Sequence, residues 1–596
     1  MKTKNSFTLG LTVLMIVCLL TGCGTVSASV NKKYEISSEQ VKVYYKGQYG
    51  EDTDEITMYF LNGNNQIAYY DMDTVVSIMN KLYHDGYGDY EKDKDYSLTY
   101  EADKDKVTFT RENGYTMVAD FTEDTITFVD YDKFISHSYD LTAVDLSHSS
   151  GFDEDGQAVY LQREKEGSFE RLGKEYVFDL GNYDIDLIYQ NSTYLIPAQT
   201  MNDILLTATY TEYLYNGECA IYVNYENLID DMSSQTGLYD IYYRKDAGDR
   251  SQELIDYTYN ELCMVLDYEY GLKDSHNIES FDKYFQEIGI DGVSLKSMLK
   301  SDDPEDSEKA LAYLTWDALD DLHSGYRSPS FYAGYDSYEE TKNAIPYGAS
   351  FQSMISSVDT FEDIRAKILG DENGNIPGYQ EIGNTAYVTF DKFNPKTEDY
   401  YANPPQSDET DTIGLIIYAN SMIKRENSPI ENVVIDLSCN TGGAEDAVAF
   451  VCAWFLKDAQ IYLQNSLTSA TAINVYSCDA NLDHKFDSDD SVSDLKLFCL
   501  ISPASFSCGN LAPTVFACSN KVTLIGQTTR GGSCVVLPLT TASGSMLQVS
   551  GFKMVSALKN GSFYNSDQGI DPDFKITNIE NFYDRNYLTD YINNLP

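Results

Sequence analysis

The chain has 596 residues, with 94 Asp plus Glu against 42 Lys plus Arg, a formal charge of −52 at pH 7. A surface this acidic repels phosphate backbones and anionic bilayers, which excludes nucleic acid as a partner. Hydrophobic residues make up 42% of the chain and its 50 Tyr stand beside 26 Phe, a folded composition, because acidic disordered chains are poor in aromatics.

At the start, Lys2 and Lys4 precede an apolar stretch from Phe7 to Leu20, which ends in Leu20-Thr21-Gly22-Cys23. This is a basic n-region, an h-region too short to span a bilayer comfortably, and a small-residue cleavage site. The ending resembles the lipobox of bacterial lipoproteins. That resemblance implies a signal peptide over residues 1–22, a lipid on Cys23, a tether over 23–40 and an extracytoplasmic chain anchored to the cell membrane. Beyond Cys18 and Cys23 there are nine cysteines, an odd number. Several sit in apolar runs such as Ala449-Phe450-Val451-Cys452-Ala453, where cysteine acts as a small buried hydrophobe, so no disulfide framework is expected.

Residues 41–245 are rich in Tyr, Thr, Asp and Asn. Short alternating runs such as Val107-Thr108-Phe109-Thr110, separated by turns such as Asn113-Gly114, predict half-exposed strands in an α+β region. The stretches Ile56–Ile78 and Ile185–Leu205 each read as strand, turn, strand, helix, which suggests a duplicated module. Residues 251–335 turn helical, with Leu254, Tyr257, Leu262, Val265 and Leu266 near a 3.6 period. The tail of this segment carries Asp320-Asp321-Leu322-His323-Ser324. From 340 to 596 strands alternate with helices, the pattern of an α/β domain with parallel pairing.

Three segments of that domain carry chemistry. The strand Val433–Leu437 runs into Asn440-Thr441-Gly442-Gly443, a turn at a helix N-terminus that is either structural or presents amides to an oxyanion. The strand Leu497–Ile501 runs into Ser502-Pro503-Ala504-Ser505-Phe506-Ser507-Cys508, which can offer a serine hydroxyl to a cleft with the following amide behind it. The third is Gly526-Gln527-Thr528-Thr529-Arg530-Gly531-Gly532.

In this order, followed by Gly569-Ile570-Asp571-Pro572-Asp573, these segments resemble the C-terminal processing (tail-specific) serine protease family over roughly residues 250–580. The family pattern is Asp-Leu-Arg-x-Asn-x-Gly-Gly, a serine turn, Gly-x-x-Thr-x-Gly-Lys-Gly and Gly-Ile-x-Pro-Asp. The resemblance implies a ClpP/crotonase-like α/β protease core, with Ser507 as nucleophile and the amides of Gly442, Gly443 and Cys508 as oxyanion donors. It also implies that the base lysine is absent, because Gly532 holds its place. A branch similar to tricorn protease uses a histidine instead, which His323 matches. Ser566 stands where that branch carries a glutamate, so either Asp567 orients His323 or the orienter is water-bridged or missing.

Between the catalytic segments, Asp479, Asn481, Asp483, Lys485 (through its carbonyl), Asp487 and Asp490 match a calcium-loop ligand pattern like that of dockerin modules, with His484 at the usual glycine position. Two readings stand for this loop: a structural calcium site or a solvated acidic loop. No cofactor is expected for catalysis. Two readings also stand for function: a lipid-anchored extracytoplasmic endopeptidase acting on unfolded or flexible peptides, and a catalytically silent surface lipoprotein that binds peptides with the same fold.

Overall fold

Alternation builds the front half as sheet. In Lys106–Arg111 the side chains of Val107 and Phe109 are buried while Thr108 and Thr110 are half-exposed, as a pleated strand with one covered face requires. The computed structural model describes residues 33–46, 51–85, 97–135, 160–164, 167–243, 247–395 and 399–595. The signal-like segment 1–22 and Cys23 lie outside the described residues. Among the described residues no helix is long and apolar enough to cross a membrane.

The first sheet has seven strands in the order Ile188–Gln190, Thr193–Pro197, Asn64–Tyr70, Glu51–Leu61, Ile36–Lys46, Cys219–Asn224 and Thr211–Tyr215. The two similar stretches of sequence fall within it. Glu51–Leu61 and Asn64–Tyr70 lead into the helix Met72–Asp85, and Ile188–Gln190 and Thr193–Pro197 lead into the helix Ala198–Leu205. The two hairpins sit side by side, with Ile196 opposite Tyr70 and Pro197 opposite Tyr69. A second, five-stranded sheet covers Leu98–Asp103 to Tyr176–Asp179.

The Tyr-rich and helical regions of the sequence are packed together. From Glu35 to Pro596 the chain packs as one unit. A single buried cluster runs from Phe109 and Phe128 through Leu262 and Leu311 to Leu547 and Phe552. Two front-half strands, Leu161–Arg163 and Phe169–Arg171, pair with Thr471–Cys478 in an antiparallel sheet otherwise built from the back half. That sheet also holds Gly325–Ser328, Cys534–Thr540, Met546–Ser556 and Ala459–Asn465.

The last sheet positions the site. Its order is Tyr379–Ile382, Thr385–Thr389, Asn432–Asp436, Lys496–Ile501, Val522–Gly526 and Phe574–Lys575, parallel after the first pair. The interior strand Asn432–Asp436 is buried at all five residues, as strands covered on both faces are. The helix Glu445–Leu456 is buried from Asp446 onward and apolar all round, so it packs as a core helix.

At the end of Asn432–Asp436, Asp436 is 0% exposed and accepts from Arg585 Nη2 at 2.7 Å. Arg585 is 4% exposed and lies over the Tyr387 ring, 4.4 Å from its centroid. A buried pair of this kind strands a charge when one partner is removed. We expect Arg585→Ala to lower the unfolding free energy by about 3–5 kcal/mol in a denaturant titration; a change below about 1 kcal/mol would mean that water reaches Asp436.

Candidate active site

The strand Lys496–Ile501 ends in a six-residue turn, and the helix Cys508–Ser519 begins directly after Ser507. The turn holds three serines with different tasks. Ser502 Oγ donates to the Ser438 carbonyl and Ser505 Oγ to the Leu437 carbonyl, the latter at 2.7 Å. These bonds pin the serine turn to the loop after Asp436. Ser507 is half-buried, and its hydroxyl has no hydrogen-bond partner among the described residues. Its backbone stands at φ 56°, ψ −122°, a conformation that costs a non-glycine residue about 1–3 kcal/mol. Its amide donates to the Gly531 carbonyl at 2.9 Å, and its carbonyl accepts from the Asn510 and Leu511 amides at 2.8 Å. These bonds hold the strained turn in place.

The glycine turn abuts this serine. Gly442 and Gly443 have φ of 114° and 138°, and a Cβ on Gly442 would stand 2.9 Å from Ser507 Cβ. The expectation that Gly442 serves as an oxyanion donor is corrected here: its N–H donates to Asn440 Oδ1 at 3.0 Å and is spent. The amides of Gly443 and Cys508 have no hydrogen-bond partner among the described residues, and Gly443 is exposed. Phe393 braces the turn, its amide donating to the Gly442 carbonyl and its carbonyl accepting from Ala444, both at 2.8 Å. Cys508 does not compete as a nucleophile. Its thiol is buried, donates to the Gly443 carbonyl at 3.0 Å, and is pushed well above its ordinary pKa by burial.

His323 lies in the turn between the helical segment Pro304–Ala318 and the strand Gly325–Ser328. Asp321 builds that turn: its carboxylate accepts from the His323 amide at 3.0 Å, Ser324 Oγ at 2.6 Å and Ser550 Oγ at 2.7 Å. The imidazole is 7% exposed and packs on the Phe506 ring with centroids 4.7 Å apart. Burial pushes its pKa below the ordinary histidine value, while Asp321, Asp567 and the Cys534 backbone act the other way. The imidazole thus packs on the residue that precedes Ser507, and a general base is needed in its neutral form. His323 Nδ1 has no hydrogen-bond partner of ordinary geometry among the described residues. Phe506 also accounts for the absent lysine, because a Cβ at Gly532 would stand 2.5 Å from the same ring.

Asp567 makes no hydrogen bond to His323 among the described residues. Its Oδ1 accepts from the Ser533 amide at 3.1 Å and its carbonyl from the Gly532 amide at 3.1 Å, so it acts on the imidazole through charge alone. Ser566 turns toward Ser533 Oγ, at 3.1 Å, and Asn510 Nδ2, at 3.3 Å.

The four motifs interlock around Ser507. Thr529 Oγ1 donates to Asn510 Oδ1 at 2.6 Å and accepts from the Ile570 amide at 2.7 Å. The Asp573 carboxylate accepts from Leu524 N at 2.8 Å. The peptidase family S41 model matches residues 384–576, the stretch that holds all four. These residues form a peptidase family S41 domain. His323 lies outside the matched stretch. No curated protein matches the chain. Among solved structures, the photosystem II D1 C-terminal processing protease is 18% identical, covering 32% of this chain and 42% of its own, with a TM-score of 0.24. A peptidase structure from Parabacteroides merdae is 16% identical, covering 55% of this chain and 90% of its own, with a TM-score of 0.36. The tricorn protease is 12% identical, covering 94% of this chain and 59% of its own, with a TM-score of 0.23. The chain thus spans less than half the length of the D1 processing protease.

In the acidic loop the residues spaced like calcium ligands make the following hydrogen bonds. Asp479 accepts from the Asp483 and His484 amides and the Tyr401 hydroxyl, at 3.1, 2.8 and 2.8 Å. Asn481 Oδ1 accepts from Asp483 N at 2.9 Å, and Asp487 Oδ1 from Asp489 N at 2.8 Å. Asp490 accepts from Ala480, Asn481 and Asp487 amides. Asp483 is taken by Lys485, whose Nζ lies 2.6 Å away. These side-chain oxygens accept from the loop's own amides, the Tyr401 hydroxyl and the Lys485 ammonium. Among the described residues no group of three or more His, Cys, Asp or Glu stands placed for a metal ion. His484 takes φ 61°, the conformation expected of glycine there, with its ring stacked on Tyr401 at 4.0 Å.

Proposed function

We propose that the chain is a lipid-anchored extracytoplasmic serine endopeptidase for unfolded or flexible peptides. The observation that carries this reading is Ser507: of three serines in one turn, it alone keeps its hydroxyl unspent among the described residues, on a strained backbone against the Gly442-Gly443 turn, with a buried histidine packed on the preceding Phe506. In the reaction, His323 takes the Ser507 proton as Oγ attacks the peptide carbonyl. The Gly443 and Cys508 amides receive the oxyanion, and the protonated imidazole gives its proton to the leaving amine. Water, deprotonated by the same histidine, then releases the acyl group and restores the Ser507 hydroxyl. No cofactor enters this chemistry. Cys23 would carry the lipid that ties the enzyme to the membrane surface.

The missing hydrogen bond between Asp567 and His323 favours the second reading, a silent peptide binder. The two separate in one assay. Wild-type protein incubated with unfolded casein should convert it to fragments with new termini; casein that binds yet stays intact through a prolonged incubation would establish the silent binder.

A further inference from the structure

The chemistry above leaves the Tyr-rich front half without a task, yet this half reaches the base. The His323 carbonyl accepts from Gln548 Nε2 at 2.7 Å. Gln548, 7% exposed, sits on the strand Met546–Ser556, and its Oε1 accepts twice, from Tyr225 Oη and from Arg327 Nε, both at 2.8 Å. Two donors on Oε1 fix the amide's orientation: turned over, it would set its NH2 against both donors and its oxygen against the His323 carbonyl. Tyr225 lies 323 residues from Gln548 and opens the helix Tyr225–Ser234 next to the first sheet.

The same part of the front half grips the neighbouring strand. The Tyr225 amide donates to the Tyr210 carbonyl at 2.9 Å, and Tyr210, at φ 61°, sends its hydroxyl to the Val536 carbonyl at 2.8 Å. Gln199 Nε2 donates to the Thr540 carbonyl at 2.8 Å. The strand Cys534–Thr540 pairs only with Met546–Ser556 among the described strands. Tyr210 and Gln199 therefore occupy carbonyls along its otherwise open edge, two and six residues beyond the Cys534 backbone that neighbours His323.

We propose that Gln548, oriented by Tyr225, is a positioning residue for His323, so that the front half is a working part of the active site and not a separate module. This rests on the reading of His323 as the general base. A base is effective only when its nitrogen stands within a fraction of an ångström of the proton it takes. The Gln548 amide fixes the backbone from which the imidazole hangs, opposite the clamp that Asp321 makes on the His323 amide.

The test compares Tyr225→Phe and Gln548→Met with a control, Tyr222→Phe. The control also removes one buried hydroxyl from the front half, the one 3.0 Å from Tyr70 Oη. On an unfolded peptide substrate, Tyr225→Phe and Gln548→Met should lower kcat by about 10- to 100-fold with KM unchanged, and shift the acid limb of the kcat/KM profile. Tyr222→Phe should keep the wild-type kcat and profile whatever its melting temperature. Wild-type kcat and pH profile in Tyr225→Phe, with only a lowered melting temperature, would overturn the proposal. Should Gln548→Met fail to fold, Tyr225→Phe decides alone, since it removes a single oxygen. A fully active His323→Ala would sink the base reading itself; an inactive His323→Ala beside a wild-type Tyr225→Phe would sink only the positioning role.

Discussion

Ser507→Ala is expected to lower kcat toward unfolded peptides by on the order of 10⁴-fold or more while leaving peptide affinity unchanged, as removal of a nucleophile does when the oxyanion donors and binding surface remain. Stability gives this position a second readout. Ser507 holds φ 56°, ψ −122°, and alanine inherits that strain, so Ser507→Ala should unfold within about 0.5 kcal/mol of wild type. Glycine adopts the same backbone freely. Ser507→Gly should therefore be inactive yet more stable by about 1 kcal/mol, the relief of roughly 1–3 kcal/mol of strain less the extra freedom of the unfolded chain. A denaturant titration in which the glycine variant is less stable than the alanine variant would mean that the turn is not strained.

His323→Ala should cost about 10²- to 10⁴-fold in kcat, the usual worth of a positioned base, and should erase the acid limb of the kcat/KM profile. In wild type that limb should lie below 6.5, because burial holds the imidazole below the ordinary histidine value of 6.5. The corresponding stability effect has a definite sign. A histidine with a lowered folded pKa is protonated more readily in the unfolded chain, so its contribution to stability falls as pH drops through 6.5 toward the folded value and is constant above 6.5. Asp567 raises the imidazole pKa by charge. Asp567→Asn should consequently move the acid limb further down in pH, whereas an unmoved limb would remove Asp567 from the site.

Much of the catalytic half was legible because its signals are local. Glycine turns at strand ends and an ordered set of four motifs drew attention to Ser507 and the Gly442-Gly443 turn, and Asp320-Asp321-Leu322-His323-Ser324 to His323. The partners of those residues were not legible. Gly442 reads as a free amide until Asn440, two residues earlier, is seen to take it. Phe506 looks like an ordinary core residue, yet its ring joins His323 to the Ser507 turn and excludes a side chain at Gly532. Gln548 and Tyr225 meet across 323 residues of sequence, and no periodicity marks such a contact. The acidic loop shows the converse: carboxylates spaced like calcium ligands are turned to their own loop's amides, which spacing alone does not distinguish. The front half was readable as strands from its alternation, but not as packed with the back half, because its joins to it are single strands and side chains far apart in the chain.

Labelling with a fluorophosphonate tests the central claim most directly, since the probe reports an activated serine whatever the natural substrate. Wild type should take up one label per chain, mapping to the peptide that contains Ser507. Labelling should be absent in Ser507→Ala and strongly slowed in His323→Ala. A label that maps to another residue, or equal labelling of wild type and Ser507→Ala, would contradict the account.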